Sequence, residues 1–326
     1  MSLFLYNKYF IKTCCFLQRK YLQRHVIESM EMLPYDDIPD SVSKTISSLL
    51  LSDSPCMISR FGSVELGCVI NYLGVSHPNI SRFIYGVGHP WWWVKSVKEE
   101  MGNNAGFFPV TDEGLKFFSE RILKDVGLID VLAAWRTEEA FLKNKMGGAK
   151  RIRFLLLDPF WSEQPWTIAL AGKKILVVHP FVETIQFQYE KRNLLFKKKQ
   201  ILPDFELKTL KAVQTIAGQR DERFKDWFEA LEYMKKEVDK IDYDICLIGC
   251  GAYGLPLAAH VKRMGKKAVH MGGSLQLLFG IKGRRWEDPN YNDTYNYAQL
   301  MNEHWVRPNR EEIPIAASDV EGGCYW

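Results

Sequence analysis

The chain has 326 residues, 47% of them hydrophobic, 25% charged and 13% aromatic, with a formal net charge of +4. This is an ordinary globular composition with enough apolar material for a sizeable core. So small a charge, with no Lys/Arg stripe along a helix, argues against nucleic acid as a partner and is compatible with an anionic small ligand. Cys14, Cys15, Cys56, Cys68, Cys246, Cys250 and Cys324 form no C-x-x-C pair and no zinc spacing, a pattern that predicts reduced thiols and a cytoplasmic protein.

Residues 1–35 are expected to hold an N-terminal amphipathic helix. It intersperses Leu3, Phe4, Leu5, Phe10, Ile11, Phe16 and Leu17 with Lys8, Lys12, Arg19, Lys20 and Arg24. Such a helix suits either peripheral contact of residues 1–25 with anionic lipid at the inner face of a membrane, or docking on the protein's own core or a partner subunit. No apolar run approaches the roughly 18 residues of a membrane span.

After Pro34 and Pro39 a helix can begin near Ser41 or Ser43, and one domain is expected over residues 36–326. The stretch PCMISRFGSVELGCVINYLG predicts a strand at 56–59, a turn at Phe61 and Gly62, and a helix with Leu66, Val69, Ile70 and Leu73 on one face. Residues 84–110, with a Trp triplet and the loop GNNAGFFP, are expected near the acceptor side of a cleft, followed by a helix over about 111–124. DVLAAW and RIRFLLLDPF read as strands separated by the helix RTEEAFLKNKM. KKILVVHP gives another strand and turn, leading to a helix that carries Ile185, Tyr189 and Leu194. A strand within 203–216 and a helix with Phe224, Trp227, Phe228, Leu231 and Met234 come next. The alternation predicts an α/β, Rossmann-like, mostly parallel sheet with helices on both faces.

In LIGCGAYGLPLAAHVKRMG, Gly249, Gly251 and Gly254 spell G-x-G-x-x-G between a strand and a helix. In a dinucleotide fold these glycines permit a tight turn, close approach of main chain to a pyrophosphate, and helix–strand contact; the helix N-terminus favours the anion. A nicotinamide dinucleotide also needs an acidic residue about twenty positions on, whereas the next strand ends in His270, Met271, Gly272 and Gly273. A mononucleotide diphosphate needs the turn without the second nucleotide half.

Taken together, SRFGSVE, VVHPFVETIQFQY, IGCGAYGLPLA with HMGGSLQLLFGIKGRRW, and the closing NEHWVRPN and VEGGCYW resemble bacterial polysaccharide-biosynthesis proteins of the GT-D-type glycosyltransferase fold, over most of residues 40–326. The resemblance implies transfer of a sugar from a nucleoside-diphosphate donor, UDP-linked first, to a glycan or lipid-linked glycan acceptor. In that family an Asp-x-Glu element after an Arg-x-Gly turn serves the metal and the donor diphosphate. The matching positions here are Arg60, Gly62, Ser63, Val64 and Glu65. With Ser63 in place of the Asp, a divalent cation (Mn or Mg) would lose its strongest charged ligand, which argues against metal dependence.

Glu65 is accordingly the candidate catalytic residue, as general base, sugar-orienting group or metal contact, with a helix-dipole partner as its structural alternative. Donor and phosphate binding is expected of Arg60, Gly62, Ser63, His179, Gly249, Gly251, Ala252, Tyr253, Gly254, Gly272 and Gly273, joined by Lys282, Arg284 and Arg285 as cations for a leaving diphosphate. Acceptor or sugar contacts are expected of Thr184, Gln188, Trp286 and Trp305; Tyr253, Trp286 and Trp305 serve equally well as packing. Two other functions fit parts of the pattern: an NAD(P)-dependent oxidoreductase and a non-catalytic nucleotide-sugar or glycan-binding protein.

Overall fold

The computed structural model describes residues 6–24, 31–216, 218–320 and 322–326. Seven strands, β1 (Cys56–Ser59), β2 (Val131–Ala134), β3 (Lys150–Arg153), β4 (Lys174–His179), β5 (Glu206–Lys211), β6 (Ile245–Ile248) and β7 (Lys267–His270), form one sheet. Its order is β3-β2-β1-β7-β6-β4-β5 and every pairing is parallel, as an α/β Rossmann-like arrangement requires. The inner strands CMIS, VLAA and ICLI are buried at every position because helices cover both faces. KRIR and ELKTLK stand at the two edges, where their charges reach water and discourage pairing with another chain.

The nine helices of five or more residues in the described chain that are α-helical are α1 (Lys8–Arg24), α2 (Pro39–Leu51), α3 (Ser63–Ser76), α4 (Ile80–Ile84), α5 (Lys95–Asn103), α6 (Asp112–Asp125), α7 (Val182–Glu190), α8 (Trp227–Asp239) and α9 (Gly254–Arg263). Strand side chains alternate between two cores. Met57, Leu176, Ile248 and Ala268 pack with α3, α6, α8 and α9; Ile58, Val177, Leu247 and Val269 pack with α2, α7 and the turn Leu275–Leu278.

Several elements differ from expectation for identifiable reasons. β3 stops at Arg153, the last residue paired with β2, and Phe154–Leu157 turns into a 3-10 helix that buries Leu156 and Leu157. The segment Thr137–Lys145 is likewise 3-10, entered through Glu139, whose carboxylate accepts the Trp135 and Arg136 amides at 3.2 Å each. Helix α7 ends before Lys191, so Leu194 belongs to a separate turn, Arg192–Leu195. Phe224 lies outside α8, which Asp226 caps by accepting the Glu229 amide at 2.8 Å.

Helix α1 docks on the protein's own core: Cys14 is buried with Phe83 and Trp91, and Gln18 Nε2 donates to Phe83 O at 3.0 Å. Its expected extension through Leu3, Phe4 and Leu5 lies outside the described residues. Trp91, expected near the acceptor, is fully buried in this small core. Among the described residues no helix is long and apolar enough to cross a membrane.

Two glycines give opposite tests of the packing. At Gly254, in the first turn of α9, an added Cβ would lie 2.2 Å from His270 Nε2, whereas at Gly67, inside α3, it would meet nothing within 4 Å. Gly254→Ala is expected to destabilise by about 1–3 kcal/mol through overpacking, and Gly67→Ala to stabilise by about 0.5–1 kcal/mol through helix propensity. Urea unfolding midpoints of the two variants check both signs.

Candidate functional site

Because all strands run in one direction, their carboxyl ends share an edge. There the loops leaving β1, β4, β5, β6 and β7 surround a cleft of about 1020 Å³ counted to its mouth. From β4 the chain runs outward to β5, and from β6 it runs the opposite way to β7. Ligands of open α/β sheets bind where connections diverge like this.

The turn after β6 builds one wall. Gly249 N donates to Val178 O at 2.9 Å, and among the described residues the amides of Cys250 and Gly251 donate to no protein acceptor. Gly251 has φ +55° and open space where a side chain would stand, so the main chain itself faces the cleft. Gly249 is required by packing: a Cβ would lie 2.7 Å from both Gly272 O and His179 Cδ2.

Opposite elements of the chain supply charge. Gly62 is the N-cap of α3, and the Glu65 carboxylate folds over it, so that a Cβ on Gly62 would lie 1.7 Å from Oε2. Glu65 is therefore both a negative group at a helix N-terminus and a cleft residue. Arg60 Nε and Nη2 donate to Phe61 O at 2.9 and 2.7 Å, and its guanidinium lies 5.1 Å from the Phe154 ring and 5.5 Å from the Trp135 ring. Gly272, at φ +68°, leaves room for Nη1, which a Cβ would approach to 2.8 Å.

Two histidines end their strands at the cleft floor. His179 Nδ1 accepts the Phe181 amide at 3.0 Å, which makes Nε2 the proton-bearing nitrogen of the neutral ring. Burial lowers its pKa to about 3. His270 Nδ1 pairs with the buried Ser59 hydroxyl at 3.0 Å, and burial, then the Arg60 charge, lowers this pKa to about 3 as well.

Of the sequence candidates, Arg60, Gly62, Ser63, Glu65, His179, Gly249, Gly251, Tyr253, Gly272 and Gly273 line this cleft. The others do not, and most have another commitment. The Thr184 hydroxyl and amide go to the buried Glu312 carboxylate, which also takes the Glu183 amide at 2.8 Å and so fills the N-terminus of α7. Gln188 is fully buried, donating to Gly280 O and His304 O, and Trp305 Nε1 donates to Leu195 O at 2.9 Å. Ala252 is core, and Gly254 receives the His270 ring. Lys282 is held by a backbone bond to Val306 O, and Arg284 Nη1 donates to Gly322 O at 3.4 Å. Arg285 and Trp286 line a neighbouring hollow instead. Tyr253 borders the cleft, but its ring stacks on Trp227 at 4.9 Å, an 8° angle, and so has a protein partner where a base was expected.

Residues not singled out from the sequence complete the lining: Asn104 and Ala105 from the GNNAGFFP loop, Gln214 and Thr215 after β5, and Tyr325 and Trp326 near the chain's end. Gln276 holds Tyr325 in place, its Nε2 donating to Tyr325 O at 3.0 Å. Among the described residues no group of three or more His, Cys, Asp or Glu side chains is placed to hold a metal ion, and Glu65 is the one carboxylate lining the cleft. A divalent cation would have Glu65 and substrate phosphates as its anionic ligands; Arg60 is the one guanidinium that the chain supplies there among the described residues.

Comparison of the chain with protein-family models, with curated proteins and with solved structures finds no match.

The histidines set a pH dependence. Their folded pKa of about 3 lies below the unfolded value of about 6.5, so the unfolded chain binds more protons throughout that window and stability falls as pH drops through it. The buried carboxyls of Glu139, raised by burial to about 7, and Asp158, raised to about 6, act in the opposite sense with smaller displacements. Between about pH 7 and about pH 4.5 the two sets nearly offset, so the check is the difference between variants: the urea midpoint of His270→Gln should lose less, or gain more, on acidification than that of wild type.

Proposed function

We propose that this protein is a glycosyltransferase that moves a sugar from a nucleoside-diphosphate donor, UDP-linked first, to a glycan or lipid-linked glycan acceptor. The observation that carries this reading is the joint presence, in one cleft, of the open Cys250 and Gly251 amides, the Arg60 guanidinium and the Glu65 carboxylate. The GT-D-like motifs around Arg60, Glu65 and Gly249 support it from the sequence side.

In this reading an acceptor hydroxyl attacks the anomeric carbon, the bond from that carbon to the phosphate oxygen breaks, and nucleoside diphosphate leaves. The hydroxyl proton goes to Glu65. Arg60 and the two amides stabilise the negative charge growing on the leaving group, and they cost little reorganisation because the fold already holds them in place. His179, neutral with its proton on Nε2, donates a hydrogen bond without adding charge. A lipid-linked acceptor would be met by the outward side of α1, where Tyr9 and Phe16 are exposed among Lys8, Lys12 and Lys20.

A nicotinamide dehydrogenase is disfavoured because β7 runs out into Met271 and Gly272, with no carboxylate to take ribose hydroxyls. Thermal-shift titration separates the readings: UDP and UDP-sugars are expected to raise the melting temperature and NADH to leave it unchanged. In Glu65→Gln, turnover of labelled UDP-sugars should drop about 10²–10⁴-fold while UDP affinity stays within about twofold. Stabilisation by NADH with none by any nucleoside diphosphate would sink the proposal, and nucleotide-sugar binding without turnover in the wild type would leave a binding protein.

A further inference from the structure

Docking on the protein's own core accounts for only one side of helix α1. Phe10, Cys14 and Gln18, spaced four residues apart, run along the side that meets Phe83 and Trp91. Around the helix from them, Tyr9, Lys12, Phe16 and Lys20 follow at spacings of three and four residues and form a second stripe along its length. All four are exposed, Tyr9 to 78% and Phe16 to 58%, values too high for rings packed on the protein. The loop after α4 continues the same surface: the Tyr85 ring meets Tyr21 at 4.9 Å, and Tyr85 and Val87 are both exposed.

The charge of this unit is one-sided. Residues 6–22 and 77–92 supply its small core, and they carry Lys8, Lys12, Arg19, Lys20 and Arg82 without one Asp or Glu. The whole chain has 43 Lys and Arg against 39 Asp and Glu, so the two short segments hold more net positive charge than the +4 of the entire protein. All five cations are exposed.

These two properties narrow what covers the face. A second copy of the chain, laid face to face, would set cations against cations. A hydrated polyanion would pair with the lysines and leave Tyr9 and Phe16 in water. An anionic bilayer satisfies both: aromatic rings enter the headgroup boundary, while the long Lys and Arg stems reach along them to lipid phosphates.

We propose that the outer face of α1, with the adjoining Tyr85 loop, docks this protein on the surface of an anionic membrane. Because α1 stays packed through Cys14 and Gln18, the contact orients the whole folded body instead of tethering it by a loose segment. No step at the cleft is needed for this docking, which holds whether or not a nucleotide binds there.

The test is co-sedimentation of the whole chain with phosphatidylcholine vesicles and with vesicles of phosphatidylcholine containing about a third phosphatidylserine, in about 0.15 M salt. Wild type is compared with Lys12→Glu/Lys20→Glu and with Tyr9→Ser/Phe16→Ser. The replaced side chains are exposed, so both variants should keep the wild-type urea midpoint. Wild type is expected to bind the anionic vesicles at least about tenfold more tightly than the neutral ones, since each basic residue near such a surface is worth about fivefold. Both double variants should weaken that binding about tenfold or more, and added salt should weaken the wild type. Wild type indifferent to phosphatidylserine, or binding that survives in either folded variant, overturns the proposal. Self-association of wild type that Tyr9→Ser/Phe16→Ser dissolves, without vesicle binding, overturns it in favour of a second copy.

Discussion

The arrangement depends on one fixed cation. Arg60 leaves the end of β1 with two of its nitrogens donating to the next residue's carbonyl, Phe61 O, and its guanidinium beside the stacked Phe154 and Trp135 rings. A guanidinium held in this way is pre-organised, and less side-chain entropy is lost when an anion arrives. Its field reaches each titratable neighbour in the sense expected of a positive charge: it lowers the His270 pKa and works against burial at Asp158 and Glu139. The guanidinium thus borders both the main cleft and the smaller hollow, and its position gives the two a shared wall.

Around that cation the glycines act mainly as space. Gly249, Gly254 and Gly273 are the residues over which His179, His270 and Tyr325 lie, and a methyl group at any of them would fall inside those rings' contact distance. Among the glycines that line the cleft, only Gly251 combines a left-handed backbone with open space in front of it. The familiar spacing of the three glycines therefore divides into two packing positions and one position where the main chain is bare to a ligand.

Local pattern made the inner strands legible, because a strand covered on both faces must be apolar at consecutive positions: CMIS, VLAA and ICLI could be read directly. Arg60, Glu65 and the Gly249 turn were legible for the same reason, each lying at a strand-to-helix junction in the sequence. What stayed hidden were commitments between distant residues. Nothing near Thr184 announces that Glu312 caps its helix, nothing near Tyr253 that Trp227 covers its ring, and nothing in the closing residues that Tyr325 returns to Gly273. Those contacts follow from the insertion of β6 and β7 between β4 and β1, which sequence order does not reveal.

The central claim is that Arg60 and the amides after β6 together hold a diphosphate. The most direct measurement is a UDP titration followed by nitrogen–proton NMR on wild type and Arg60→Gln. The account predicts saturable shifts at the Cys250 and Gly251 amides and the Arg60 side chain in wild type, with affinity lowered about tenfold or more in the variant. Saturable shifts confined to other parts of the protein, or an affinity indifferent to Arg60, would contradict it.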